Sequence, residues 1–147
     1  MTYHYQIHIW EHHTDEPEPA TFEAAGQTFL ALQDSEAPAN AKFVNLVQKL
    51  LKHHPSQASD PKCLHSAWGG DPFRDALLTN KRFFSLSLPP ADRVELLRLV
   101  VDNASALGLT VFDDQIGMVF FPSGLVLPQE HAESWVLIKQ QIDAESL

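Results

Sequence analysis

The chain has a single cysteine, Cys63, so no internal disulfide framework is possible. Lysine and arginine are scarce, ten against nineteen aspartates and glutamates, giving a net charge of −9 with histidine neutral. Nucleic acid and anionic membrane both reward Lys and Arg, so this balance argues against either as a partner. No apolar run approaches the roughly 18 residues needed to cross a bilayer. The opening MTYHYQIHIW lacks the basic n-region of a secretory signal, and a cytoplasmic protein is expected, with a periplasmic one without disulfides as the alternative. Repeats, low-complexity stretches and linker-like segments are missing as well. With 147 residues against a soft prior of about 150 per domain, one domain over 1–147 is expected.

Motifs that carry chemistry are also missing. There is no G-x-S-x-G elbow, no H-E-x-x-H and no paired C-x-x-C. Gly69-Gly70 is not followed by Lys and Ser or Thr, so it makes no phosphate loop. Cys63 opens a strand-like segment rather than a helix, without a dipole to lower its pKa, and reads as a small buried hydrophobe. Eight histidines raise the question of a metal site. His4 and His8 share a strand face but stand about 13 Å apart at roughly 3.3 Å per residue. The pairs His12-His13 and His53-His54 diverge on any regular element. His65 could approach His8 from a second strand. We expect no metal, no cofactor and no catalytic residue, with the histidines on the surface or half-buried.

What is present reads as alternating strands and helices. Tyr3, Tyr5, Ile7 and Ile9 alternate with His4, Gln6, His8 and Trp10, a period of two that predicts a first strand. Phe22, Ala25, Phe29 and Leu32 recur at helical spacing behind Thr21 as N-cap. Phe43, Leu46, Val47, Leu50 and Leu51 form a stronger helix that Asn40 can cap. Strands are expected at Cys63–Trp68 and Arg82–Leu88. A helix carrying Val94, Leu97, Val101, Ala104 and Leu107 follows, with Gly108 closing it in a left-handed conformation. Leu109–Phe112 and Met118–Phe121 read as a hairpin around Asp113-Asp114-Gln115-Ile116-Gly117. Glu130–Glu145 is a last helix with Trp135, Ile138 and Ile142 inward. Stripped of extras, the order is β-α-β-β-α-β, a ferredoxin-like α+β pattern. It predicts an antiparallel sheet with helices on one face, an extra helix in the first crossover, a C-terminal hairpin and a C-terminal helix. Ile7, Ile9, Phe84, Leu86, Val111 and Val119 are expected to face helices bearing Leu46, Leu50, Leu97 and Val101.

The charge is unevenly spread. Residues 1–41 hold seven acids and no Lys or Arg, 42–98 carry a net of +4, and 99–147 a net of −6. Acidic ends can simply fold against the basic middle, or they can form a face that steers a basic partner. Trp10 adjoins Glu11, Asp15, Glu16 and Glu18. If exposed there, it would be an aromatic anchor inside a charged rim, as binding hot spots are built. The alternative places it under the loop or over the sheet edge. Asp113 and Asp114 could be a carboxylate pair for acid–base work or cation binding, but adjacent residues on a strand end point to opposite sides, so a turn role with Asx hydrogen bonds suits them better.

Tyr3-His4-Tyr5-Gln6-Ile7-His8-Ile9-Trp10 resembles the aromatic-rich first strand of a diffuse group of small, acidic bacterial immunity-like proteins. Ala106 to Val119, with its Gly108-Leu109-Thr110-Val111-Phe112-Asp113-Asp114-Gln115-Ile116-Gly117 core, resembles the hairpin of the same group. Many members carry Pro where Asp114 stands. The resemblance implies a binding protein rather than an enzyme and carries over no catalytic residue. On that basis we expect a protein that occludes the active site of a basic toxin domain, with Trp10, Glu11, Asp15, Glu16, Glu18, Asp113 and Asp114 touching the partner. A histidine- or metal-using enzyme and a dimeric ferredoxin-like ligand-binding module are the alternatives.

Overall fold

The computed structural model describes residues 5–12, 17–34, 36–37, 40–53, 76, 79, 82–88 and 93–145. The expected strand at 63–68 lies outside them, as do Cys63, His65 and Trp68. In chain order the elements are β1 (Tyr5–Glu11), α1 (Phe22–Gln33), α2 (Ala41–His53), β2 (Phe83–Leu88), α3 (Arg93–Ala106), β3 (Leu109–Asp113), β4 (Met118–Phe120) and β5 (Val126–Leu127). A 3-10 turn at Gln129–His131 leads into α4 (Ala132–Glu145). Among these helices none is long and apolar enough to cross a membrane.

The strands form one five-stranded sheet in the order β2-β1-β3-β4-β5, with every neighbouring pair antiparallel. β1 is central and sets the sidedness. Ile7 pairs with Leu86 and Ile9 with Phe84 and Val111, so all of them point one way. His8 pairs with Ser85 and Phe112, and Trp10 with Phe83 and Thr110, so these point the other way. The period of two read from residues 3–10 therefore assigns the two faces of β1 correctly.

Local chemistry places the helix starts. The Thr21 hydroxyl accepts from the Ala24 amide at 3.1 Å, and Asn40 Oδ1 accepts from the Lys42 amide at 2.9 Å. Such caps satisfy amides that the first turn leaves without carbonyl partners. Gly108 takes φ +76° just past α3, a left-handed conformation that a side chain would strain.

The first core lies between the sheet and α2, α3 and α4. Ile7, Ile9, Phe84, Leu86 and Val111 meet Phe43, Leu46, Val47 and Leu50 of α2 and Leu96, Leu97 and Val100 of α3. Val101 packs against this cluster half-buried, and Trp135 of α4 lies 4.6 Å from the Phe120 ring. Each fully buried Leu or Ile here contributes about 1.5–3 kcal/mol.

Two expectations fail on the opposite face. Helices are not confined to one side: α1 covers the second face, where Ala25 and Phe29 pack with Trp10, Phe112, Val119, Phe121 and Leu127. Val119 belongs to this second core, because it pairs with Phe112, and Phe120 takes its place in the first. The physical reason is that β3 and β4 are apolar on both sides and buried throughout. A strand with two apolar faces needs a layer on each of them.

Candidate partner-binding surface

Trp10 is not an exposed anchor. It is 4% exposed, its ring lying 6.0 Å from Phe29 and 5.8 Å from Phe112. α1 crosses above it, so the indole is an element of the second core, on an inner strand and under a helix rather than at the sheet edge or under the loop.

Glu11 is likewise engaged within the fold. Its carboxylate accepts from Lys42 Nζ at 2.6 Å and from Asn40 Nδ2 at 3.0 Å, which ties the end of β1 to the start of α2. The segment around Glu11 carries no cation of its own, yet α2 supplies one. Glu18 is exposed and accepts from the Ser123 hydroxyl at 2.5 Å, linking the approach to α1 with the turn before β5. Asp15 and Glu16 lie outside the described residues.

Asp113 is fully buried and cannot rim a partner surface. Its Oδ1 accepts from the amides of Gln115 at 3.1 Å and Ile116 at 3.2 Å, the Asx arrangement of a turn. Asp114 is exposed. Among the described residues, Glu11 and Asp113 are not gathered into one site. Glu11 lies opposite Leu109, the first residue of β3, while Asp113 is its last. Four residues of strand separate them, about 13 Å at roughly 3.3 Å each.

His8 is a titratable side chain on the face covered by α1, and it makes a polar contact there. Its Nδ1 lies 2.8 Å from Ser85 Oγ, and its ring stacks 4.3 Å from Phe29. Burial pushes its pKa below the ordinary value, opposed in part by the negative charge of Asp114. At neutral pH the imidazole is therefore uncharged, and the Ser85 hydroxyl can donate to Nδ1. His12 packs edge-on against Phe121, and His131 is exposed. Among the described residues no three His, Cys, Asp or Glu side chains are grouped so as to hold a metal ion. His4, His13, His54 and His65 lie outside those residues.

Sequence reasoning missed the outer side of α4. Trp135 is buried and Ile138 and Ile142 are half-buried, as the spacing predicts. The same spacing turns Val136 and Leu137 outward, at 46% and 65% exposure. The signal was present: two large aliphatic residues stand between inward positions of one helix.

No family model, no curated protein and no solved structure matches this chain.

Proposed function

We propose that this chain is a cytoplasmic binding protein that neutralises a cognate bacterial toxin by occluding its active site, as an immunity protein does. One observation carries the reading. Glu23, Asp34, Glu36, Asp114, Glu130 and Glu133 are exposed and have no ion-pair partner among the described residues, whereas Lys42 and Arg98 are each engaged by carboxylates. Lys49, Lys52 and Arg82 are exposed without an ion pair as well, so among the described residues the unpaired surface acids outnumber the unpaired surface bases, and such a surface speeds encounter with a basic partner. The core is read as ferredoxin-like. Supporting that, β1 lies between 83–88 and 109–113 and is antiparallel to both, as the first strand of a split β-α-β-β-α-β sheet lies between its third and fourth.

The test is purification of the tagged protein from its native cell, followed by assay of what accompanies it. The reading expects a stoichiometric basic protein whose activity appears when the complex is dissociated and disappears when the chain is added back. A partner whose activity is indifferent to the chain overturns it.

A histidine-using enzyme is the second reading, favoured by the contact of His8 Nδ1 with Ser85 Oγ. A neutral imidazole there would serve as general base to the hydroxyl. A fluorophosphonate probe should then label Ser85 in the native protein and fail to label the His8→Asn variant. A native protein that resists the probe removes this reading.

A further inference from the structure

The two edges of the sheet are built differently. β5 is two residues long and is followed by Pro128, which has no N–H to offer a further strand. β2, at the other edge, is six residues long. Its sequence FFSLSL holds no charge and no proline, and it pairs with β1 without a bulge. Charges, prolines and bulges are the devices that keep natural edge strands from pairing with another chain. The hydrogen-bond phase of the sheet fixes what this edge presents. The His12 amide donates to the Gly108 carbonyl, so Trp10 and His8, two and four residues before it, bond toward β3 as well. The alternate residues Tyr5, Ile7 and Ile9 therefore bond toward β2, where their partners are Leu88, Leu86 and Phe84. That turns the backbone N–H and C=O of Phe83, Ser85 and Ser87 away from the sheet. The Thr79 hydroxyl donates to the Phe83 carbonyl at 3.3 Å, in agreement with this phase. No described residue pairs with the backbone of Ser85 or Ser87 on that side.

We infer that the outer edge of β2 pairs antiparallel with β2 of a second copy of this chain, joining two sheets across a two-fold axis normal to the sheet at Leu86. In this register Ser85 lies opposite Ser87 of the second copy, and each such pair exchanges two backbone bonds. The register uses the outward groups of both serines and leaves the Phe83 carbonyl to Thr79. The pattern of the strand selects the occupant. An added strand has to set apolar side chains beside Phe84, Leu86 and Leu88, which face the first core, and small polar ones beside Ser85 and Ser87. β2 itself has that alternation, and the two-fold keeps its apolar side on the core side in both copies. Like charges do not meet along the seam. Residues 83–88 are uncharged, and Arg82 stands about 26 Å from its counterpart, eight positions along at roughly 3.3 Å each. That is well beyond a Debye length of about 8 Å at physiological salt. What remains is the general repulsion between two chains of net charge −9, which added salt screens. This pairing is independent of the toxin-binding reading, and a basic partner on the same edge would show the opposite salt dependence.

Sedimentation velocity of the full chain over a range of concentrations tests the pairing, with residue-resolved amide exchange on the same samples. The chain has a mass of 16.5 kDa, and the expected species is a dimer of twice that mass that strengthens as salt is raised. In the dimer the Ser85 and Ser87 amides should be protected, and dissociation should speed their exchange by roughly tenfold or more while Phe84 and Leu86 stay protected by β1. Ser87→Pro removes an outward N–H that β1 does not use and should weaken dimerisation by about tenfold. Ser87→Lys sets two ammonium groups near each other on one face of the seam and should weaken it as well, providing a second variant if the proline disturbs β2. Ser87→Ala, which keeps the backbone groups, should leave the dimer intact. A chain that stays monomeric at every concentration overturns the second copy, whether its Ser85 and Ser87 amides exchange fast or are protected within the one chain. A dimer indifferent to both Ser87→Pro and Ser87→Lys overturns this edge as its seam. Neither result decides the toxin-binding reading, which the co-purification tests by itself.

Discussion

Trp10→Ala separates a core residue from a contact residue, since the two roles predict opposite phenotypes. The indole is 4% exposed and lies nearly parallel to Phe29 at 6.0 Å, with Phe112 at 5.8 Å. Truncating a buried Phe or Trp to Ala costs about 3–5 kcal/mol, because transfer and cavity terms add. The loss of two ring neighbours places this site in the upper part of that range. Against a total of about 5–15 kcal/mol for a domain, that is roughly a quarter or more of the stability. At roughly 2–4 °C per kcal/mol for a chain of this size, the melting temperature should fall by about 6–20 °C. Far-ultraviolet circular dichroism followed through thermal and urea unfolding measures it. Trp10→Phe should lose less, because it keeps a ring against Phe29. Leu30→Ala, exposed on α1, should change stability by no more than about 0.5 kcal/mol. A Trp10→Ala protein melting within about 3 °C of the wild type would refute the placement of this ring under α1.

Three further outcomes follow from the geometry. Asp113→Ala leaves the amides of Gln115 and Ile116 without their acceptor and should cost about 1–3 kcal/mol in urea unfolding, while Asp113→Asn, which keeps an oxygen, should recover part of it. Burial lowers the His8 pKa, so the unfolded chain takes up that proton more readily than the folded one. The His8 contribution should be intact above the ordinary value of 6.5 and lost as pH falls below it through the lowered value, and His8→Gln should flatten the urea midpoint over that window. A variant with the wild-type slope would show that other groups set it. Gly108→Ala, at φ +76°, should destabilise by about 1–2 kcal/mol, measured in the same assay.

Much of the fold was legible because it is written in short-range periodicity. The alternation of Ile7 and Ile9 with His8 and Trp10, the caps Thr21 and Asn40, and the left-handed Gly108 all depend on near neighbours in sequence. The exposure of Trp10 was not legible from its own strand, since what covers it is Phe29, nineteen positions away on a helix that no local rule docks there. The apolar runs at 109–112 and 118–121 did carry the missing clue. Residues that are apolar on both faces of a strand require a second layer, and α1 supplies it. Glu11 and Lys42 illustrate the same limit in charge. Thirty-one positions separate them, so counting acids in the N-terminal segment overstated the charge left for a partner. The outer side of α4 was half legible. Helical spacing turns Leu137 outward, but only the position of Arg98 between α3 and α4 shows which acids of the C-terminal third are already engaged.

The unequal cladding of the sheet has a consequence for how the molecule opens. Among the described residues one face is held by α2, α3 and α4 and the other by α1, of which only Ala25 and Phe29 are buried. Cooperative units with few buried contacts open at a fraction of the global free energy. Native-state hydrogen exchange should therefore release the α1 amides through a sub-global opening, well before those of α2 and α3. In that excursion the aromatic layer of His8, Trp10 and Phe112 is transiently wetted while the opposite core stays closed, so the sheet acts as a partition between a labile half and a durable half of the same protein.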